Sequence, residues 1–194
     1  METHSPLGRE MGPMQRLLDT PLPALDASAR ARLAERVAHD AAHTPLRLRI
    51  DLPGPTGERN TLSFAPRGLV ACMADELEPL ALLCAAALAC DNRVVLPTTD
   101  AGRALAAVLA DAAVLHPDPA AQEFVAMVLF NGPLEQARQL RQQVATRNGA
   151  LVGFIHVSTE HTTTEPLDLT RLVVERCVCI NTTAWGGNAA LMSM

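Results

Sequence analysis

The chain has 194 residues, of which 48% are hydrophobic and 19% are charged, a balance typical of one folded domain and unlike that of a disordered chain. The formal net charge of -5 provides no basic surface for a nucleic acid. All 16 cationic residues are arginines, which excludes phosphate-binding loops and Schiff-base catalysis that depend on lysine.

Targeting signals are not evident in the sequence. No apolar stretch reaches the ~18 to 20 residues of a membrane span, and the first ten residues lack the basic and apolar regions of a signal peptide. Five cysteines, an odd number with no disulfide-like spacing, fit a reducing compartment. We therefore predict a cytoplasmic protein.

The first 51 residues are predicted to form a partly flexible N-terminal segment with one helix, Ala27 to Ala42. Its apolar positions Leu33, Val37 and Ala41 recur at helical spacing. The polar, Pro- and Gly-rich stretch from Asp51 to Asn60 breaks both helix and strand, so we place a domain boundary near residue 52.

From residue 68 onward, apolar runs alternate with segments of helical period, which predicts an α/β, Rossmann-like, mostly parallel sheet flanked by helices. Asp75 and Glu78 have the spacing of a capping box for the first of these helices. The predicted strands are residues 69–73, 94–96, 124–130 and 151–157, with a short one at 113–116, and the helices are residues 75–90, 100–112 and 133–148.

A β-flap is predicted next to this sheet. Residues 172–180 alternate in the manner of a half-exposed strand, and residues 61–65 are its expected partner. The flap is predicted to be part of one sheet domain that extends over residues 52–181. Residues 182–194 are then predicted to form an extended C-terminal tail that docks onto another surface, because Gly186 and Gly187 allow close backbone approach.

The first strand-helix turn, which commonly binds phosphate in such sheets, has unsuitable chemistry here. It runs from Met73 to Leu77 without a glycine, and Asp75 and Glu76 place two carboxylates where a pyrophosphate would bind. Neither G-x-G-x-x-G nor G-x-S-x-G occurs in the chain. We therefore predict no catalytic residues.

Possible metal ligands have simpler interpretations. His39 and His43 are four residues apart on the predicted helix, but no Glu follows the first His, so two solvated histidines are expected. Cys177 and Cys179 are expected to be half-buried on one strand face, without a second cysteine pair nearby. His156 and His161 flank a strand end, and we expect no metal site.

Two segments resemble the NAD pocket of the aldehyde dehydrogenase superfamily. Residues 86–96 (AALACDNRVVL) resemble its second helix-strand junction, and residues 129–133 (LFNGP) resemble its F-T-G-S turn. Pro97 replaces the family's ribose-binding Lys, and Pro133 replaces the Ser of the turn. The resemblance therefore implies a degenerate pocket near Pro97, Thr98, Asn131 and Gly132 with no bound cofactor, and the family's catalytic half is missing.

A longer resemblance covers about residues 52–194. Residues 52–61 (LPGPTGERNT) and 174–192 (VERCVCINTTAWGGNAALM) resemble the C-terminal region of the proline utilization A family, whose members are bifunctional enzymes of bacterial proline catabolism. This resemblance implies a non-catalytic domain that helps to enclose the channelling cavity between an FAD-dependent proline dehydrogenase and an NAD-dependent L-glutamate γ-semialdehyde dehydrogenase. Those two domains are the implied partners. The implied docking motif is Asn181, Thr182, Thr183, Trp185, Gly186, Gly187, Asn188, Leu191 and Met192.

The sequence differs from the family at two places, and it is compatible with more than one function. Trp185 stands where the family usually has Ala, and the usual final Gly is lacking. The chain is expected either to be part of a larger enzyme or to cap that enzyme as a separate subunit. The alternative function is a stand-alone nucleotide-binding protein or dehydrogenase remnant, recognisable by saturable NAD binding that depends on Asn131 or Thr98.

Overall fold

The computed structural model describes residues 12–158 and 166–182, which form two sheets and their flanking helices. In chain order the elements are α1 Pro13–Asp19, α2 Ala27–His43, β1 Arg49–Leu52, β2 Glu58–Pro66, β3 Leu69–Met73, α3 Leu77–Ala89, β4 Arg93–Leu96, α4 Asp100–Leu109, β5 Ala113–Leu115, β6 Val125–Gly132, α5 Leu134–Ala145, β7 Gly153–Ser158 and β8 Val173–Asn181. Short 3-10 turns connect some of them.

The larger sheet has five parallel strands in the order β5-β4-β3-β6-β7. Its central strands are apolar on both faces because helices cover both sides; Val70, Val94 and Val95, for example, are fully buried. This confirms the predicted α/β fold with a parallel sheet. The strand predicted from residue 124 begins one residue later, since Phe124 adopts a positive φ of 65°.

Helix α3 is buried over most of its circumference because it lies between the sheet and α2. Its N-cap is Glu76, whose side chain makes no capping hydrogen bond, so the predicted capping box of Asp75 and Glu78 was wrong. Glu78 instead accepts two hydrogen bonds from Arg32 of α2, at 2.5 and 2.8 Å. The Glu78 carboxylate therefore binds α2 and does not cap α3, in contrast to what the local sequence spacing had predicted.

The N-terminal helices pack into the same hydrophobic core as the sheet. Leu17, Leu33 and Val37 are buried together with strand residues such as Val70 and Leu129. The predicted helix from residue 27 is confirmed, but Ala41 is only partly buried, and Arg36 and Asp40 lie on the buried face instead. The division of the chain at residue 52 stays a prediction.

The smaller sheet is antiparallel, in the order β1-β2-β8. Strand β2 pairs with β8 from Glu58 opposite Asn181 to Pro66 opposite Val173, as the flap prediction required. The prediction of only two strands was wrong because β1 pairs along the other side of β2. Residues 51–60 were predicted to break both helix and strand, which was wrong: they contain the end of β1, the start of β2 and the turn between them, where Gly57 has a φ of 92°.

Candidate functional site

The candidate site is the edge of the large sheet at which the parallel strands end. Met73, Leu96 and Gly132 are the last residues of β3, β4 and β6, and Ser158 ends β7. Ligands of open α/β sheets bind at this edge, so the residues that follow each strand decide what the site can hold.

The turn after β3 presents carboxylates to this edge. Asp75 and Glu76 are both exposed and immediately precede α3. The amino end of a helix attracts negative charge, and here the protein's own carboxylates supply it. A phosphate arriving at α3 would meet two like charges, and the turn has no glycine that would let it approach the backbone.

The residues at the end of β6 are used in packing and in hydrogen bonds to β7. The buried Asn131 side chain donates from Nδ2 to the Val157 carbonyl at 3.2 Å, which ties β6 to β7. The Nε2 of His156 lies 2.7 Å from the Gly132 carbonyl and must carry a proton to donate to it. A Cβ on Gly132 would come within 2.4 Å of the Phe130 ring, so packing explains this glycine.

The end of β4 is similarly constrained. Thr98 is exposed, and Pro97 lies under the first turn of α4, where a Cβ on Gly102 would be 1.9 Å from the Pro97 carbonyl oxygen. Strand β3 separates β4 from β6, so Pro97 is about two strand spacings, roughly 9 to 10 Å, from Asn131. These residues share one edge of the sheet, and a common pocket among them stays a prediction.

A small cavity lies behind this edge. Its lining includes Asn131, Val157 and Leu167 together with Leu82 and Leu83 of α3. The interior volume is about 20 Å³, which accommodates one water molecule and not a nucleotide.

Sequence reasoning missed an ion pair that borders this cavity. Arg36 Nε donates to Asp40 Oδ2 at 2.8 Å, and neither side chain is more than 7% exposed. The signal was available, since opposite charges four residues apart stood on the apolar side of the helix.

The neighbouring His39 and His43 rings stack with their centroids 4.1 Å apart, and His39 Nδ1 is 3.2 Å from Asp40 Oδ1. Within residues 12–158 and 166–182, no group of three potential ligands could hold a metal ion.

The flap cysteines differ from the prediction. Cys177 and Cys179 are exposed, not half-buried, because β8 is an edge strand that is open on both faces over most of its length. Cys179 Sγ lies 3.7 Å from Glu58 Oε2. Partial desolvation, followed by the adjacent Glu58 carboxylate, raises the pKa of the Cys179 thiol.

Apolar side chains are also exposed on the flap. Val174, Val178 and Ile180 project from one face of β8, and Ile50 of β1 is exposed as well. The strand predicted for these residues is present, but its predicted half-exposure was wrong, because residues 174–181 are exposed on both faces in the described part of the chain.

Only the first two residues of the predicted docking motif are described. Asn181 ends β8, and the backbone N–H of Thr182 donates to the Gly57 carbonyl at 2.7 Å. The other motif residues, Thr183, Trp185, Gly186, Gly187, Asn188, Leu191 and Met192, lie outside the described residues, as does His161. In the described ranges no helix is long and apolar enough to cross a membrane.

Comparison with known proteins first defines the class of the fold. No family model matches the chain. A putative aldehyde dehydrogenase from Burkholderia cenocepacia superposes with a TM-score of 0.54 at 20% identity, over 67% of this chain and 30% of that one. The fold is that of an aldehyde dehydrogenase Rossmann-like domain.

The sequence relatives are more specific. The bifunctional protein PutA of Escherichia coli is 38% identical over 152 residues, which cover 74% of this chain and 11% of PutA, and that of Klebsiella aerogenes is 37% identical over 191 residues, covering 89% and 14%. A Bradyrhizobium japonicum proline utilization A (PutA) variant gives a TM-score of 0.56 at 26% identity, over 68% of this chain and 16% of that chain. The chain is homologous to PutA, and spans less than one sixth of the curated relatives named here.

Proposed function

We propose that this chain is a non-catalytic domain of a proline-catabolic enzyme of the PutA kind, equivalent to its C-terminal region. The observation that carries the proposal is the pair of carboxylates, Asp75 and Glu76, at the amino end of α3. They occupy the position that a dinucleotide phosphate needs, so the domain would have the dinucleotide-binding fold without binding a dinucleotide. FAD and NAD would then be bound by the other domains of the enzyme.

The proposed role is to help enclose the cavity through which L-glutamate γ-semialdehyde passes, and to stabilise the assembly. The exposed apolar face of β8, with Val174, Val178 and Ile180, supports a contact with the proline dehydrogenase or aldehyde dehydrogenase domain. The tail of residues 182–194 would dock beside it. The contact would form in the cytoplasm, within one polypeptide or between two.

The test compares coupled and separate activities of the complete enzyme that carries this chain. A V178D/I180D double substitution is expected to slow conversion of proline to glutamate and introduce a lag, because intermediate escapes from an unsealed cavity. The separate dehydrogenase activities are expected to stay within twofold. The matched control is Leu134→Asp, which adds a charge at an exposed leucine of α5. An unchanged time course in V178D/I180D would contradict the enclosing role.

Calorimetry with NAD tests the non-catalytic part of the proposal. The isolated chain is expected to show no saturable binding and no aldehyde-dependent NADH production. Saturable binding that is lost in Asn131→Ala or Thr98→Ala would replace this proposal with the nucleotide-binding alternative.

A further inference from the structure

A second hollow lies at the opposite edge of the large sheet, where the parallel strands begin. It is formed by the last turn of α5, the chain that leads into β7, and Arg171. Its volume is about 260 Å³, just below the usual range for small-molecule pockets. This edge is remote from the carboxylates of Asp75 and Glu76, because α5 and β7 both span the sheet between its two edges.

Three arginines are among the residues that line this hollow, namely Arg141, Arg147 and Arg171. No carboxylate lines it in the described part of the chain, although acidic residues outnumber arginines over the whole sequence. The local charge is therefore opposite in sign to the formal net charge of -5. Such a concentration of positive charge in a concave surface attracts small anions.

Two of the three guanidinium groups are held in place by backbone carbonyls. Arg147 donates to the carbonyls of Ala120 and Gln122, the latter at 2.9 Å, and Arg171 donates to the Phe154 carbonyl at 2.9 Å. These bonds use only some of the five N–H donors of each guanidinium. Fixing an arginine before a ligand arrives reduces the entropy lost on binding.

The rest of the lining is apolar. Val144, Val152 and Phe154 contribute side chains, and Phe154 is partly exposed. An inorganic anion would leave this wall in contact with water. A ligand that carries a planar or apolar group beside its charge would cover the wall, and guanidinium groups and aromatic rings both accept stacked planar groups.

We propose that this hollow binds a small phosphate monoester with a planar group, a ligand of the mononucleotide class. Guanidinium groups bind phosphate strongly, so the N–H donors of Arg141, Arg147 and Arg171 that are not used on backbone carbonyls suit a dianionic phosphate. The apolar wall suits the base, and the volume limits the ligand to this size. The inference is independent of the proposed function, which concerns the other edge and the flap.

One feature opposes an anion here, namely the carboxyl end of α5, which carries partial negative charge. The final carbonyls of that helix, on Gln142, Gln143 and Val144, already accept hydrogen bonds from the backbone N–H groups of Thr146 and Arg147. The helix end is equivalent to about half an elementary charge, against three full positive charges on the arginines. The balance favours the anion.

Calorimetric titration of the whole chain with AMP, adenosine and inorganic phosphate tests the proposal. AMP is expected to bind at least tenfold more tightly than either of the other two, and more weakly as salt concentration rises. Arg141→Glu is expected to weaken AMP binding at least tenfold. Arg141 is exposed, so this substitution leaves the core intact.

The matched control is Arg138→Glu, which makes the same charge change one turn earlier on α5, outside the hollow. It is expected to change AMP affinity less than threefold. Equal affinities for AMP and inorganic phosphate would overturn the assigned ligand class. Absence of AMP binding at millimolar concentration, or equal losses in the two variants, would overturn the site itself.

Discussion

Arg36 and Asp40 form an ion pair along one turn of α2, on the side of that helix that packs against α3. Their Nε–Oδ2 distance is 2.8 Å, and Asp40 has no exposed surface. A buried charge that loses its partner stays desolvated without compensation, whereas a pair replaced together leaves no charge behind. Because both residues lie on α2, the pair neutralises charge on the buried face of that helix. Single and double substitutions separate the energy of this charge pairing from that of helix packing.

The first prediction concerns the stability contributed by this pair. Arg36→Leu or Asp40→Leu is expected to lower the free energy of unfolding by about 3 to 5 kcal/mol, measured by urea denaturation, and the double substitution should recover most of the loss. The control pair, Arg138 and Glu135, lies on the surface with an N–O distance of 3.6 Å. Its removal should cost less than about 1 kcal/mol. Equal costs at the two pairs would contradict the prediction.

The second prediction concerns Asn92, which is buried between α3 and β4. Its Nδ2 donates to the carbonyls of Leu172 and Ala87, at 2.9 and 3.2 Å, and its Oδ1 accepts from the backbone N–H of Gly68 at 2.8 Å. Asn92→Ala leaves these three backbone groups without that partner. We expect a loss of about 2 to 4 kcal/mol in the free energy of unfolding.

A suitable comparison for Asn92 is Asn92→Asp, which keeps the acceptor and replaces the amide donor. The aspartate should be at least as destabilising as alanine, because a buried carboxylate would face two carbonyl oxygens. A stability equal to that of the unchanged chain in either variant would show that the amide does not connect these segments.

The large sheet was predictable from the sequence, because its strands are continuous apolar runs separated by helical periods. Residues 69–73 were predicted with the bounds that the structure has. The third flap strand, Arg49–Leu52, was not predictable in this way, since three of its four side chains are exposed and it carries no burial pattern. Its pairing with β2 depends on the turn between them and not on hydrophobic alternation.

The third prediction uses the close packing of α4 against the end of β4. Gly102→Ala would place a Cβ 1.9 Å from the Pro97 carbonyl oxygen, so backbone must move. We expect a destabilisation of about 1 to 3 kcal/mol in urea denaturation. The matched control is Gly12→Ala, where no atom lies within 4 Å of the new Cβ and φ is -59°. A Gly102→Ala variant as stable as the control would disprove the contact.

The fourth prediction separates the cysteines by alkylation with iodoacetamide at pH 8. Cys177 and Cys179 should react in the folded chain, whereas Cys72, Cys84 and Cys90 should react only after unfolding. Burial raises the pKa of the Cys90 thiol to about 11, so little thiolate forms there even at pH 8. Mass spectrometry would count two adducts on the native chain and five after denaturation.

A substitution at Glu58 tests the cause of the raised pKa at Cys179. The Glu58 carboxylate disfavours the thiolate, so Glu58→Gln should lower the pKa and increase the rate of Cys179 alkylation. Cys177 serves as the reference on the same strand. A ratio of the two rates that does not change would assign the raised pKa to desolvation alone.

The candidate site was only partly predictable. The absence of a glycine and the presence of Asp75 and Glu76 after β3 are visible in the sequence, and the structure places both carboxylates before α3. The structural tasks of Asn131 and His156 were not visible, because they depend on which strand lies beside β6. Hydrogen bonds across a parallel sheet join residues far apart in sequence, and spacing within one segment cannot reveal them.

The pairing of β2 with β8 has a consequence for the order of events during synthesis. Residues 66 and 173, the nearest opposed pair in this ladder, are more than a hundred positions apart. A ribosome adding about 5 to 20 residues per second needs roughly 5 to 20 s to bridge that interval. During this time the nascent hairpin of β1 and β2 presents an open edge, so a chaperone that binds extended segments would find its target there before β8 emerges.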